Sequence, residues 1–200
     1  MSKASKAIRC VVGLGNPGAQ YELTRHNAGY WLAAHFADAL QANFSEEKKL
    51  FSWVAKAHFE GQTVLIAKPT TFMNRSGQAV AALCRFYKIE PQEVLVLHDE
   101  LDLPPGAAKI KFGGGHAGHN GLRDIQKALD TPDFWRLRVG VGHPRDIGSQ
   151  QAVAAYVLSN PRSGDWPEIE LALERCQREL PNLLKGDMDA VAQYLNGAHR

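Results

Sequence analysis

The sequence predicts an α/β domain built on a mixed sheet with helices on both faces. Three observations carry this. Short apolar runs of strand length alternate with stretches whose apolar residues recur at helical spacing. Two runs at residues 51–59 and 62–67 flank Gly61 and read as a hairpin. Two later runs, "AAKIKFG" and "FWRLRVGVG", alternate apolar and polar residues as half-exposed strands do, which argues against an all-parallel sheet.

The elements follow in order. Residues 8–14 form an apolar run that ends in glycines, the pattern of a buried strand. From 27 to 41, Trp31, Leu32, Phe36, Ala39 and Leu40 predict a helix. The hairpin about Gly61 comes next. Residues 76–87 predict a second helix, with Val80, Leu83, Cys84 and Tyr87 on one face and Ser76 as its N-cap. "EVLVLHDE" reads as another buried strand, and residues 119–129 as a helix between the two alternating strands. In the tail, Ile169, Leu173, Cys176 and Leu180 mark amphipathic helix. No repeat, low-complexity tract or linker interrupts the chain. The expectation is one domain over residues 1–200, with 1–6 flexible and 165–200 as a C-terminal helical part.

A net charge of +2 does not by itself announce nucleic-acid binding. The distribution says more: between Pro105 and Arg145 seven lysines and arginines stand against three aspartates, a local excess compatible with a phosphate-binding face. Cys10, Cys84 and Cys176 are odd in number, far apart and set among apolar residues, so free thiols and a reducing compartment are expected. "MSKASKAIRC" lacks the apolar core of a secretory signal, and no apolar run approaches the roughly 18 residues of a membrane span. A cytoplasmic protein without membrane association is the expectation.

Gly13, Gly15 and Gly18 match the dinucleotide-binding fingerprint, which also needs a helix opening inside it and an acid at the end of a second strand. Asp38 has the spacing but lies within the predicted helix. Pro17 has no N–H for a phosphate and opposes helical geometry at Asn16. The stretch therefore reads as a strand-end turn followed by a loop to His26.

Unusual polar residues concentrate in four segments: Asn16 with residues 21–27, residues 70–74, His98-Asp99, and residues 113–120. Three of them directly follow apolar strands, and in open α/β sheets sites gather beyond the carboxyl ends of strands. His26 is the candidate base and Asp99 its orienting partner. G-x-S-x-G is absent, so a His–Asp pair without a side-chain nucleophile points to activated water. Asn16, Asn74 and Asn120 offer uncharged donors and acceptors to a carbonyl, a water or an oxyanion. "FGGGHAGHNG" has five glycines, enough for close approach to a ligand or for a gate. His116 and His119 have H-x-x-H spacing, but without a nearby cysteine the zinc reading is weak, and no metal is expected. His98 reads as structural and Met73 as packing at the edge of a groove.

"GLGNPG", "YELTRHNAG", "KPTTFMNRSG", "HDELDLPPG" and "GGGHAGHNGLRDI" occur in order, followed by "RVGVGHP" and "YVLSNP". Together they resemble the hallmark segments of bacterial-type peptidyl-tRNA hydrolases, from Val11 to at least Pro161. One departure is Ala34, where the family pattern usually has an acidic residue. The resemblance implies a single three-layer α/β/α domain around a mixed, twisted sheet, acting as a monomer without cofactor. It implies cleavage of the ester that joins a peptide to the 3′ ribose of tRNA, recycling tRNA from stalled translation. It makes His26 the base and Asp99 its partner. Asn16, Asn74 and Asn120 would bind substrate, Tyr21 and Met73 would line the site, and His119 would lie at its edge. Lys111 and Arg138, then Lys109 and Arg145, are placed to hold tRNA phosphates. A non-catalytic RNA-binding relative is the alternative; it would keep the basic face without needing His26 and Asp99 together.

Overall fold

The computed structural model describes residues 5–197. Its centre is a seven-stranded sheet of β1 (Cys10–Gly13), β2 (Phe44–Glu47), β3 (Ser52–Phe59), β4 (Gln62–Pro69), β5 (Val94–Glu100), β6 (Ala108–Phe112) and β7 (Trp135–Gly140). The order across the sheet is β2-β3-β4-β1-β5-β7-β6. The four strands β4, β1, β5 and β7 are mutually parallel, while β2 and β3 on one side and β6 on the other join antiparallel. The mixed sheet expected from the hairpin and the alternating runs is therefore present. The carboxyl ends of the four parallel strands share one edge, and there the polar segments gather.

Two apolar cores, one on each face, explain the three layers. On one face α1 (Ala28–Ala39) and the tail helices α5 (Trp166–Arg178), α6 (Leu180–Lys185) and α7 (Met188–Gly197) meet Val11, Ile66, Leu95, Leu97 and Val139. On the other, α2 (Ser76–Tyr87) and α3 (Asn120–Leu129) meet Cys10, Val12, Leu65, Val94 and Val96. Alternation along β1 sends Val11 to one core and Val12 to the other, as the two-residue period of a strand requires. A short helix, α4 (Val153–Val157), follows β7.

Three details differ from the sequence expectation. Strand β2 carries "FSEE", too polar and too short for a periodic signal, and forms because β3 offers it a free edge. Ser76 does not cap α2. A one-turn helix, Met73–Arg75, runs straight into α2, so Ser76 is already helical and its hydroxyl donates to the Met73 carbonyl at 2.7 Å. Of the segment expected to be flexible, residues 1–4 lie outside the described residues, whereas the Ser5 hydroxyl donates to the Gly186 carbonyl and Lys6 pairs with Glu90.

Gly13 and Gly15 of "VVGLGNPG" serve helix packing, Gly15 against the Tyr30 ring, while Gly18 takes a positive φ of 111° in the turn. A Cβ on Gly13 would lie 2.2 Å from the Gly29 carbonyl oxygen, and one on Gly29 would lie 2.3 Å from the Leu97 carbonyl oxygen and 2.5 Å from Leu14 N. The first turn of α1 thus rests directly on β1 and β5, which fixes the entry of the chain just after His26. Gly29→Ala is expected to cost about 3 kcal/mol, since backbone atoms cannot yield as a side chain can; denaturant unfolding monitored by circular dichroism measures it.

Candidate active site

His26 lies in a buried one-turn helix, Arg25–Asn27, that leads into α1. Asp99 is the penultimate residue of β5, at its carboxyl end. His26 Nδ1 lies 2.9 and 3.0 Å from the two carboxylate oxygens of Asp99. On the other side His119, the residue capping α3, places Nε2 2.8 Å from Asp99 Oδ1. The two imidazole rings sit 5.0 Å apart.

Hydrogen-bond logic fixes the tautomers. The Leu122 N–H donates to His119 Nδ1 at 3.2 Å, so a neutral His119 carries its proton on Nε2 and donates it to Asp99. Asp99 is acceptor-only when ionised, so His26 Nδ1–H must also donate to it. His26 Nε2 is then a lone pair with no partner among the described residues, in a side chain that lines the cleft. Burial of Asp99 favours its neutral form, but the facing His26 and His119 outweigh this and hold its pKa well below the usual carboxylate range. Burial of His26 works against its charged form; the charge and hydrogen bond of Asp99 more than offset this and raise its pKa. His98, buried behind the trio, donates Nδ1–H to the Asp99 carbonyl at 2.8 Å, and burial together with His119 pushes its pKa down to about 3, so it stays neutral.

His26, Asp99 and His119 are also the one group of metal-ligand type among the described residues. The geometry gives their facing atoms another purpose. His26 Nδ1 and His119 Nε2 both spend their protons on Asp99, and the Leu122 bond holds His119 in the protonated-Nε2 tautomer that a metal would have to displace. His116 does not join them: its Nδ1 accepts from Gly118 N at 3.0 Å within its own loop.

A cleft of about 430 Å³ opens beside the trio. His26, His98, Asp99, His119 and Asn120 line it, and so do Lys111, Arg136 and Arg138 on the sheet side and Val153, Ala154 and Val157 of α4. No Ser, Thr or Cys lines it.

Asn16, Tyr21, Met73 and Asn74 lie outside that lining, and Asn16 lines a second groove with Asn27, Tyr30 and Lys68. Asn16 is tied there by a reciprocal pair with Asn27: Asn16 N donates to Asn27 Oδ1 at 2.8 Å, and Asn27 Nδ2 donates to the Asn16 carbonyl at 3.0 Å. Asn16 Oδ1 accepts from Met73 N at 2.7 Å, which leaves its amide N–H groups as the donors it can offer. Buried Met73 touches α3, because a Cβ on Gly121 would meet its sulfur at 2.6 Å. Asn74 and Asn120 are exposed, and Tyr21 stands edge-on to exposed Phe72 with ring centroids 6.2 Å apart.

Across β6 and β7, Lys109 faces Arg138 and Lys111 faces Arg136, so four cations share one face of the sheet. Lys109 and Lys111 are exposed. Arg138 Nε donates to Glu100 at 2.8 Å, and exposed Arg145 stands 3.8 Å from Asp102. Arg136 is buried and donates to the Gly115 carbonyl at 3.2 Å, tying the glycine loop to the sheet. Arg136 and Asn27 fall within the basic stretch and the polar segment read from the sequence, but neither is a candidate site residue there, because both act through tertiary contacts.

The class these features define is an α/β protein with a histidine oriented by a buried carboxylate, no Ser, Thr or Cys in the cleft lining, and a basic strand pair alongside. The chain belongs to the peptidyl-tRNA hydrolase family: the family model of that description matches residues 10–200. It is 59% identical over 194 residues to a peptidyl-tRNA hydrolase of Bordetella avium, covering 97% of this chain and 94% of that one. It is 50% identical over 192 residues to one from Neisseria meningitidis serogroup A, covering 96% and 98%. Its fold matches a crystal structure of peptidyl-tRNA hydrolase from Acinetobacter baumannii with a TM-score of 0.90, at 38% identity over 98% of this chain and 97% of that one.

Proposed function

We propose that the protein hydrolyses the ester between peptide and tRNA through water activated at His26 Nε2. The observation that carries this is the His26–Asp99 bond, which consumes the Nδ1 proton and leaves Nε2 as the basic atom in the cleft. The water gives a proton to Nε2 as its oxygen bonds to the ester carbonyl carbon. The resulting imidazolium is stabilised by ionised Asp99. When the intermediate collapses, the bond from carbon to the ribose 3′ oxygen breaks and the imidazolium returns the proton to that oxygen. Neither a metal nor a covalent acyl-enzyme enters this scheme.

The amides of Asn16, Asn74 and Asn120 hold substrate carbonyls and the developing oxyanion. Tyr21 and Met73 form the wall for the peptide, and His119 keeps Asp99 oriented from the opposite side. A non-catalytic RNA binder would gain nothing from the pairing of His26 with Asp99. The setting we propose is the cytoplasm, with the protein acting as a monomer on peptidyl-tRNA left by stalled translation. Among the described residues no helix is long and apolar enough to cross a membrane.

Like charges directly opposite across β6 and β7 repel, and phosphates relieve that repulsion. Lys109, Lys111 and Arg138 therefore form the tRNA face, to which Arg145 adds a further cation from the segment after β7. Lys111→Ala and Arg138→Ala are each expected to raise KM, with the slope of log KM against log salt falling by about 1. The second also leaves Glu100 unneutralised on that face. Steady-state hydrolysis of an N-blocked aminoacyl-tRNA over a salt series checks this, and an unchanged KM in both variants would place the tRNA elsewhere.

A further inference from the structure

Arg25, the neighbour of His26, is buried yet does not line the cleft. Its guanidinium lies 3.7 Å from the centroid of the Tyr156 ring. Its Nη1 donates to the Tyr156 carbonyl at 3.0 Å and to the Ser159 hydroxyl at 2.5 Å, and its own backbone N–H donates to the Ser159 carbonyl at 3.1 Å. Tyr156 is anchored in turn: its hydroxyl donates to the Val141 carbonyl at 2.8 Å. Asp165, the acid that acts on Arg25 from a distance, pairs with Arg162 instead.

A buried guanidinium with no carboxylate against it is a costly filler. What the charge supplies here is geometry, since a planar fork stacked on a ring and bonded to a hydroxyl and a carbonyl has one orientation. The segment it grips is 141–159, whose α4 residues Val153, Ala154 and Val157 form a wall of the cleft. The residue it is attached to is the one before His26. We infer that Arg25 is a positioning residue for His26, locking the α4 wall and the turn that carries His26 into one rigid unit. This rests on the reading of His26 as the base.

Arg25→Lys keeps the charge but loses the fork and the stacking. Ser159→Ala removes one acceptor at a position outside the cleft lining. Both are assayed by single-turnover hydrolysis of N-blocked aminoacyl-tRNA across pH, with His26→Ala alongside and folding checked by circular dichroism. Arg25→Lys should lower the saturating rate by about 10- to 100-fold, the cost of a misplaced reacting group, with little change in the half-saturating concentration. Ser159→Ala should lose less, in the same direction. The groups facing His26 are Asp99 from β5 and His119 before α3. A ring held less firmly against Asp99 should titrate lower, so the rising limb of the pH–rate profile should move to lower pH in both variants. A clamp that merely supports the fold would reduce the folded fraction without moving that limb.

If Arg25→Lys does not fold, Ser159→Ala decides by the same two readouts. Wild-type rate and wild-type pH midpoint in the folded variants, with His26→Ala inactive, would overturn this inference alone. Wild-type activity in His26→Ala would overturn the base assignment and this inference with it.

Discussion

Alanine at position 26 is expected to lower the single-turnover rate of N-blocked aminoacyl-tRNA hydrolysis by about 1,000- to 10,000-fold, the upper range for loss of a general base. The reason is local. His26 Nε2 is the basic atom that the hydrogen bonding around Asp99 leaves free, and no Ser, Thr or Cys in the cleft lining stands ready as a substitute nucleophile. The half-saturating substrate concentration should change little, because the β6 and β7 cations proposed to hold phosphates and the asparagine amides are untouched. Folding should survive as well. The imidazole makes one side-chain bond, to Asp99, and His119 still donates to the same carboxylate after the change. A large rise in KM with little loss of kcat would instead make His26 a binding group.

Asp99→Asn has the second largest expected effect, a loss of about 100-fold. Asp99 accepts from two imidazole N–H groups at once. An asparagine offers one oxygen, so its NH₂ must confront either His119 or His26. His119 is held in its tautomer by Leu122 N–H, which forces the conflict onto His26. His26 resolves it by moving its proton to Nε2, and that tautomer cannot act as a base. The loss is smaller than for His26→Ala because tautomers interchange and the reactive form remains accessible at a cost. The pH dependence gives a signed check. Asp99 raises the pKa of His26, and the base must be unprotonated, so wild-type activity rises with pH through a midpoint above the ordinary histidine value. In Asp99→Asn that midpoint should fall. A loss equal to or larger than that of His26→Ala would show that Asp99 has a further essential role.

Much of this was legible in the sequence because it depended on local pattern. The run before Gly13, the hairpin at Gly61 and the alternation in "AAKIKFG" each imposed one strand geometry, and together they gave a mixed sheet. The pairing of His26 with Asp99 was readable because both sit at strand ends or helix starts, where an open sheet collects its polar residues. Strand β2 was not readable: "FSEE" has no apolar face and exists because β3 has an edge to fill. The bond from His119 to Asp99 was not readable either, since it depends on how the glycine loop folds back over the end of β5. For the same reason nothing in local pattern marks Arg25 and Arg136 as buried; only packing shows that both are ties between segments. The fingerprint glycines were ambiguous by letter. The purpose of Gly13 and Gly15 is clear in the fold, where α1 rests on β1 and the turn after it with no room for a Cβ.

In the proposed mechanism, water activated at His26 attacks the ester carbonyl. Single-turnover hydrolysis of N-blocked aminoacyl-tRNA in heavy-oxygen water tests it most directly. The wild-type protein should release the N-blocked amino acid with the label in its carboxylate and leave the tRNA 3′ end unlabelled. Folded His26→Ala should form almost none of that labelled acid in the same time. Label in the tRNA, or labelled acid formed at the wild-type rate by the variant, would rule this mechanism out.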